Sequence, residues 1–251
     1  MGAVGASNVA RSACAFVGVE DRIGNPGTVR IFTLPGVFQP HSDTWLLAEL
    51  LREQTLGPRA SVLDVCTGSG ALAVCAAQRG VRDVTAIDRS RRAVWTVRMN
   101  ARLNGVRVRA LHGDLFAPVA GQRFDAIVSN PPYVPAETDE FPSAGPQRAW
   151  DAGVDGRLLL DRICRDAPAH LKPGGFLLLV HSSVCGPALT LSQLREGGLE
   201  ADVVARRRGP LGPLLTARVE MLESRGLLRG REEEMLVIRA VAPARQPAVS
   251  A

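Results

Sequence analysis

The chain has 251 residues, a hydrophobic content of 46%, a formal net charge of +5 at pH 7 and a sequence pI of about 9.4. Its length fits one α/β domain with terminal extensions, and no apolar run approaches the roughly 20 residues that a membrane-spanning helix requires. Lys172 is the single lysine, so the positive charge comes almost entirely from arginine. A basic surface favours acidic partners such as nucleic acid, although an arginine-rich composition is equally typical of GC-rich coding.

The two ends of the chain differ in composition from its centre. Residues 1–12 are small and polar and lack the basic and apolar regions of a signal peptide. We expect a flexible extension over 1–27, one domain over 28–242 and a flexible tail over 243–251. The five cysteines are scattered and show no zinc-type spacing, which favours reduced thiols, a cytoplasmic location and no metal site.

The first predicted elements precede the main part of the chain. Residues 29–38 are predicted to form a short hairpin that turns at a Pro-Gly pair. A helix is predicted over 42–54, and Ser42 or Asp43 is expected to cap its N-terminus. The core of the domain is expected to follow this helix.

Strand-like apolar runs then alternate with helical patterns. The predicted strands are 61–66, 83–88, 107–111, 124–129, 175–181, 199–205 and 234–241. The predicted helices are 70–79, 90–103, 156–170, 187–197 and 213–225. This alternation predicts a single α/β domain with a doubly wound, mainly parallel seven-stranded sheet, which binds ligands at the carboxyl ends of its strands. The arginines 206–208 are expected in a solvated loop after the strand 199–205, unless they steer an acidic or RNA-bound substrate.

A glycine-rich turn follows the first strand of this alternation. The strand 61–66 contains Asp64, and Gly68 and Gly70 separate it from the helix 70–79. Residues without a Cβ let the backbone approach a ligand closely, and the helix N-terminus follows directly. The order of strand, glycine turn and helix is typical of nucleotide-binding sites, although two glycines alone are weak evidence.

Acidic residues at the next two strand ends strengthen this interpretation. Asp88 ends the second strand, 24 residues after Asp64, where a carboxylate can accept both ribose hydroxyls of an adenosine group. Asp114 follows the third strand and suits an adenine amino group, with Leu115 beside the ring. These strand ends therefore predict a ligand that contains adenosine.

The sequence Asn130-Pro131-Pro132-Tyr133 follows the apolar run 124–129. Planar amino groups, as in a glutamine amide or adenine N6, are poor nucleophiles because their lone pair is delocalised. The side-chain oxygen of Asn130 and the carbonyl of Pro131 can each accept one N–H, which fixes such a nitrogen for attack on a methyl group. Pro132 stiffens the loop and Tyr133 supplies a flat wall, so the loop is predicted to catalyse methyl transfer. A plain proline turn is the alternative.

These segments resemble those of class I methyltransferases that use S-adenosylmethionine, and within them the HemK-type glutamine methyltransferases of translation release factors. The resemblance covers about residues 34–241 and is closest to the short eukaryotic- and archaeal-type members, which lack an N-terminal helical bundle. The segments that carry it are 63–71, 113–116 and 129–135, with 38–47 and 149–157 similar to the short members. The resemblance implies a Rossmann-like fold and S-adenosyl-L-methionine as the cofactor.

The resemblance also implies roles for particular residues. Asn130 matches the asparagine that binds the substrate amide, and the catalytic loop consists of Asn130, Pro131, Pro132 and Tyr133. The implied cofactor-binding residues are Thr44, Asp64, Cys66, Gly68, Gly70, Asp88, Asp114, Leu115 and Asn130. Cys66 stands where the family usually has glycine, so its side chain either narrows the cofactor pocket or packs sideways as a small apolar group.

The expected activity is N5-methylation of a glutamine side chain in a protein, of the Gly-Gly-Gln release-factor type. Adenine N6 of DNA or RNA is the alternative acceptor, because the same loop geometry serves both amino groups, and a small-molecule acceptor also stays open. A degenerate cofactor-binding scaffold is the alternative outside the enzymes. The implied partners are a release factor and, as in the short members, a small zinc-binding activator subunit, with no membrane. Trp150 is expected either to line the substrate channel or to pack within its loop.

Overall fold

The computed structural model describes residues 15–19, 29–142, 145–228 and 230–244. Within these ranges two short strands, β1 (Ala15–Val19) and β2 (Val29–Thr33), pair in antiparallel orientation. The predicted hairpin over 29–38 is therefore wrong, because β2 pairs with the strand that precedes it in the chain. β1 lies in the segment 1–27, which was predicted as a flexible extension. The rest of that segment and residues 245–251 lie outside the described ranges.

A seven-stranded sheet forms the centre of the protein. Its strands are β3 (Ser61–Val65), β4 (Asp83–Asp88), β5 (Arg109–His112), β6 (Phe124–Ser129), β7 (Leu171–Ser182), β8 (Glu200–Pro210) and β9 (Glu232–Val241). They lie in the order β5-β4-β3-β6-β7-β9-β8, and β9 runs in the opposite direction to the other six. The predicted mainly parallel seven-stranded sheet is confirmed. The strand order reverses between β3 and β6, and open α/β sheets bind ligands at such a switch point.

Helices cover both faces of this sheet. They are α1 (Ser42–Glu53), α2 (Ala71–Gln78), α3 (Arg91–Leu103), α4 (Leu160–Asp166), α5 (Pro187–Glu196), α6 (Pro213–Thr216) and α7 (Val219–Ser224). Side chains along a strand alternate between faces. Leu177 and Leu179 of β7 therefore pack with α4 and α5, while Leu178 and Val180 pack with α1 and α2. None of the helices in the described ranges is both long and apolar enough to span a membrane.

Two predicted helices differ from the observed ones. The predicted helix 156–170 begins only at Leu160, because Gly156 has a φ of 77°, which an α-helix does not allow. The last residues of the predicted helix, Ala167–His170, form a separate 3₁₀ turn that has Pro168 near its start. The predicted helix 213–225 is divided into α6 and α7.

The arginine cluster is also placed differently from the prediction. Arg206, Arg207 and Arg208 lie in β8 rather than in a loop, because β8 continues to Pro210. β9 begins with glutamates, and Arg206 and Arg208 approach Glu234 and Glu232 at 2.7 and 2.6 Å. Opposite charges on neighbouring strands favour continued pairing, which explains why β8 extends past its apolar part.

Candidate active site

A cavity of about 1280 Å³ opens at the carboxyl ends of β3, β4, β5 and β6. This volume exceeds the roughly 300–1000 Å³ of typical small-molecule pockets, so two ligand groups can occupy the cavity together. We distinguish two parts of this cavity by the residues that line them. The cofactor half is lined by residues 66–69, 87–93 and 112–115, and the substrate half by residues 130–134, 148–150, 207–210 and 212–215.

The loop after β3 bends through backbone conformations that favour glycine. Cys66, Gly68 and Gly70 have φ values of 59°, 54° and 84°. Gly68 lines the cavity, whereas Gly70 lies behind it, and a Cβ on Gly70 would come within 3.0 Å of a Val97 methyl group on α3. Gly70 therefore lets α2 and α3 pack closely, while Gly68 exposes its backbone to the cofactor half.

Cys66 adopts a left-handed backbone conformation without being glycine, which stores strain of about 1–3 kcal/mol. Its side chain lines the cavity and also packs against the hydrophobic core, so it takes part in both arrangements that the sequence left open. Burial raises the pKa of the Cys66 thiol well above its usual range, and the Asp88 and Asp64 carboxylates add to this shift. A neutral thiol is a poor nucleophile, which argues against covalent catalysis by Cys66.

Asp64 is fully buried in β3 and is not part of the cavity wall. Its Oδ2 accepts hydrogen bonds from the Thr67 hydroxyl at 2.5 Å and the Ala73 N–H at 3.1 Å, which tie the loop to α2. Its Oδ1 has no partner among the described residues, and burial raises the pKa of Asp64 to about 7. Asp64 was predicted to bind the cofactor, and the structure places it behind the glycine loop, which it holds against α2.

Asp88 ends β4 and lines the cofactor half beside Gly68. Its Oδ2 accepts the Gly68 N–H at 2.9 Å, and its Oδ1 accepts the Ser90 N–H at 2.8 Å. Each carboxylate oxygen keeps a further lone pair with which it can accept a ligand hydroxyl. Burial raises the pKa of Asp88, although the two N–H donors oppose the shift.

Asp114 and Leu115 form another wall of the cofactor half. The Asp114 side chain is 54% exposed and forms an ion pair with Arg162. Leu115 is buried and has a φ of 45°, a strained conformation for leucine. Strain of this kind persists where the surrounding structure enforces it, often at ligand sites.

The cofactor half fits an adenosyl group. Asp88 and Asp114 offer acceptors for ribose hydroxyls and for an amino group, and Leu115 offers an apolar wall. A Cβ added to Gly68 would lie 3.5 Å from the Cβ of Phe38, so its absence keeps the space between the loop and Phe38 open. These features agree with the S-adenosylmethionine site that the sequence predicts.

Asn130 follows β6 and faces the first turn of α1. Its Nδ2 donates to Asp43 Oδ2 at 3.0 Å and to Thr44 Oγ1 at 2.9 Å. Both N–H groups of the amide are thus used within the protein, and no described residue donates to Asn130 Oδ1 or to the Pro131 carbonyl. Two adjacent residues therefore each present a free acceptor at the end of β6.

Tyr133 is fixed at both its hydroxyl and its backbone. The hydroxyl donates to Asp43 Oδ2 at 2.8 Å, and burial together with this carboxylate raises the pKa of Tyr133 well above its usual range. The Cys185 thiol donates to the Tyr133 carbonyl at 3.1 Å. A Cβ at Gly156 would collide with the same carbonyl oxygen, so any larger residue at position 156 would displace the loop.

Two arginines from the segment between β8 and β9 support the chain that follows this loop. Arg218 donates to the Pro135 carbonyl at 2.6 Å, and its Nη1 lies 2.7 Å from Asp151 Oδ1. Arg225 donates to the Ala136 carbonyl at 2.6 Å. Through these contacts, the segment that carries α6 and α7 packs on the continuation of the loop and completes the outer wall of the substrate half.

The structure brings most of the predicted site residues together and adds three others. The predicted residues that line the cavity are Thr44, Cys66, Gly68, Asp88, Asp114, Leu115, Asn130, Pro131, Pro132 and Tyr133. Trp150 lines it as well and also packs against the hydrophobic core, so its position fits both alternatives. Asp43, Arg218 and Arg225 were missed. Asp43 was expected as a possible helix cap. The N-cap is His41, whose side chain makes no capping hydrogen bond, while Asp43 Oδ1 accepts the Thr44 N–H within the first turn. The position of Asp43 directly before Thr44 was the one available signal.

Comparison with known proteins identifies related sequences. The family model for the methyltransferase small domain matches residues 28–144. A protein of Methanocaldococcus jannaschii that is named as a protein N5-glutamine methyltransferase is 33% identical over an alignment that covers 72% of this chain and 90% of its own length. The ribosomal protein uL3 glutamine methyltransferase of Bradyrhizobium diazoefficiens is 46% identical, over 47% of this chain and 39% of its own length. Further relatives are named release factor glutamine methyltransferases. The chain thus spans most of the archaeal relative but less than half of the uL3 enzyme.

A solved structure shares the fold. The Mtq2-Trm112 complex of E. cuniculi, described as responsible for methylation of the translation termination factor eRF1, matches with a TM-score of 0.53. The identity is 20%, and the match covers 82% of this chain and 99% of that one. This likeness confirms the Rossmann-like fold that the sequence predicts.

Proposed function

Because this chain belongs to the family of protein glutamine methyltransferases, which use S-adenosylmethionine, we propose that it methylates a glutamine side-chain nitrogen in a protein. The observation that carries the proposal is the pair of adjacent acceptors, Asn130 Oδ1 and the Pro131 carbonyl, to which no described residue donates. A primary amide presents two N–H groups on one nitrogen, and two acceptors can hold both. The names of the archaeal and bacterial relatives support the same acceptor.

The residues of the substrate half align the acceptor nitrogen. When bound, S-adenosylmethionine supplies a methyl group whose bond to the sulfonium sulfur breaks as the bond to nitrogen forms. Asn130 Oδ1 and the Pro131 carbonyl hold the two N–H groups, and Tyr133 packs against the amide plane. Alignment can contribute about 7–11 kcal/mol to lowering a barrier in well-oriented systems.

The reaction requires no strong base in the protein. The nitrogen carries positive charge once it has gained the methyl group, so one N–H proton leaves readily to water. His181 lies on β7, but it is fully buried and is not part of the cavity wall. Burial lowers the pKa of His181 to about 4, so we assign it no role in proton transfer.

A release factor is the substrate that we propose. Glycines beside the reacting glutamine, as in a Gly-Gly-Gln loop, add no side-chain bulk and allow the glutamine to approach the loop after β6. Names of relatives and the description of the Mtq2-Trm112 complex support this substrate. Ribosomal protein uL3 is the second candidate, because one relative is named for it. Both belong to the translation apparatus, so the enzyme that we propose acts in the cytoplasm.

Transfer of labelled methyl groups tests the substrate. Purified release factor carrying Gly-Gly-Gln, its Gln→Ala variant, ribosomal protein uL3 and duplex DNA are incubated separately with labelled S-adenosylmethionine and the enzyme, with and without a protein similar to Trm112. We expect label on the wild-type release factor and none on the Gln→Ala variant. Label on uL3 or on DNA instead would show that this molecule, and not the release factor, is the substrate. No label on any of them, with cofactor binding verified by calorimetry, would overturn the assignment.

We also propose that a small activator subunit covers an apolar stripe on α3, as the Mtq2-Trm112 complex suggests. Trp95, Met99 and Leu103 are 48%, 37% and 41% exposed, and their spacing of four residues places them on one face of the helix. α3 packs beside β5, which is an edge strand of the large sheet. An apolar stripe beside an open strand edge offers both contact area and backbone hydrogen bonds to a partner.

Coexpression tests this partner. The wild-type chain and a Trp95→Glu/Met99→Glu variant are each coexpressed with a protein similar to Trm112 from the same organism as this chain. We expect the small protein to copurify with the wild type and to be lost from the variant, while cofactor binding persists in both. Equal recovery, or full turnover by the wild-type chain alone, would contradict the proposal.

A further inference from the structure

Asp43 connects α1 to the loop that follows β6. It is 5% exposed, and its Oδ1 accepts the Thr44 N–H at 2.7 Å. Its Oδ2 accepts from Asn130 Nδ2 at 3.0 Å and from the Tyr133 hydroxyl at 2.8 Å. One carboxylate oxygen therefore holds two loop residues that lie 87 and 90 positions further along the chain.

This contact decides which way the Asn130 amide faces. A carboxylate oxygen accepts hydrogen bonds and donates none, so the amide group that faces Asp43 must be NH₂. The second N–H donates to Thr44 Oγ1 at 2.9 Å, which leaves Oδ1 as the remaining group of the amide. In the opposite orientation, two oxygens would face each other at Asp43, and Asn130 would present a donor to a substrate that also presents donors.

The same oxygen fixes the ring of Tyr133. Tyr133 lines the cavity, and its hydroxyl reaches Asp43 at the edge of the ring. The hydroxyl also lies 3.9 Å from the sulfur of Met235, so Asp43 is its one close oxygen partner among the described residues. The Asp43 carboxylate thus fixes both the orientation of the Asn130 amide and the position of the Tyr133 ring beside it.

We propose that Asp43 is a positioning residue for methyl transfer, which acts through Asn130 by fixing the orientation of its amide. The proposal rests on the proposed function, since it assumes a substrate that donates N–H groups. Asp43 itself need not touch the substrate. Nothing in the sequence pattern assigned it this role.

Kinetics of Asp43→Asn test this role. The substitution keeps the shape of the side chain but allows an NH₂ group to face Asn130. The Asn130 amide can then rotate so that its NH₂ group, rather than Oδ1, faces the substrate. We expect kcat to fall by about 100-fold, as for other losses of alignment, with the cofactor dissociation constant unchanged. Glu53→Gln removes the same charge from the exposed end of α1 and is the matched control, with kcat unchanged.

A double-mutant cycle separates this role from a structural one. If Asp43 acts through Asn130, Asp43→Asn causes no further loss of turnover in an Asn130→Ala background. If Asp43 only stabilises α1 or the cofactor half, the two losses multiply. Multiplied losses, or an Asp43→Asn enzyme with the turnover of the wild type, would overturn the proposal.

An NMR measurement makes the test independent of the substrate. The chain has five asparagines, and the Asn130→Ala spectrum identifies the Asn130 side-chain NH₂ signals in protein labelled at asparagine. We expect both protons to exchange slowly with water in the wild type and quickly in Asp43→Asn. Fast exchange in the wild type would overturn the proposal even if the variant failed to fold. Slow exchange in a wild type that methylates no glutamine would instead refute the proposed function and leave the orientation of Asn130 supported.

Discussion

The cofactor half and the substrate half of the cavity are built in different ways. In the cofactor half, Thr67 donates to Asp64, a residue only three positions away in the chain. In the substrate half, Asn130 donates to Asp43 across 87 positions, and Arg218 supports the loop's continuation across 83. The first half thus depends mainly on a local motif, and the second on the packing of distant segments.

The two halves should therefore respond differently to mutation. A local motif supplies its own hydrogen bonds, so changes in the cofactor half should alter cofactor affinity without disturbing the loop after β6. The substrate half has to be assembled by tertiary contacts, so changes there should alter turnover or substrate affinity at constant cofactor affinity. Four substitutions test this separation, and their expected effects decrease from Asn130→Ala to Asp64→Asn.

Asn130→Ala is expected to have the largest effect on turnover. It removes the acceptor that fixes the substrate nitrogen, and we expect kcat to fall by about 100-fold or more. The cofactor dissociation constant should change little, because Asp88 and Gly68 remain in place. Steady-state kinetics and calorimetry measure the two quantities. If cofactor binding were weakened while turnover at saturating cofactor was preserved, Asn130 would belong to the cofactor half rather than to the substrate half.

Asp88→Ala is expected to act in the opposite way. It removes both the acceptor for the ribose hydroxyls and the partner of the Gly68 N–H. At about 1.5–3 kcal/mol for a hydrogen bond to a charged group, the cofactor dissociation constant should rise by about 10- to 100-fold. Turnover at saturating cofactor should be retained. Asp83→Ala, at the exposed start of the same strand, is the control and should leave the dissociation constant unchanged.

Arg218→Met should weaken the substrate half without touching the cofactor half. The substitution keeps much of the side-chain length but removes the donor to Pro135 and the charge beside Asp151. We expect KM for the protein substrate to rise by about 10-fold, the equivalent of one hydrogen bond to a charged group. Arg165→Met, which loses only an exposed pair with Asp166, serves as the control. An equal rise in the cofactor dissociation constant would show that the halves are not separate.

Asp64→Asn should change the pH dependence of stability. Burial raises the pKa of Asp64 from 3.8 to about 7, so between these values the folded chain holds a proton that the unfolded chain has lost. Raising the pH through this window therefore favours unfolding, by at most about 1.4 kcal/mol per pH unit. Urea unfolding at several pH values should show this slope in the wild type and a smaller one in Asp64→Asn. Equal slopes would mean that Asp64 is ionised in the folded protein.

The arginines of β8 show one limit of prediction from sequence. Arg206 to Arg208 end an apolar run and precede Gly209 and Pro210, a pattern typical of a loop. The strand continues because Glu232 and Glu234 of β9 lie within reach and pair with them. The partner strand begins more than twenty residues later in the chain, so the local pattern could not indicate the pairing.

Local sequence patterns predicted the fold class, the glycine loop, the carboxylates at the strand ends and the loop from Asn130 to Tyr133. These features are readable because strand periodicity, positive φ and proline stiffness are local properties of the chain. Folding places Asp64 and Gly70 behind the cavity and brings Asp43 into contact with Asn130, which the local patterns did not predict. These outcomes depend on segments that lie far apart in the chain, which local patterns do not relate to each other. Gly70 packs against Val97 of α3, and Asp43 meets Asn130 87 positions away. Asp64 is buried by the elements that pack around β3.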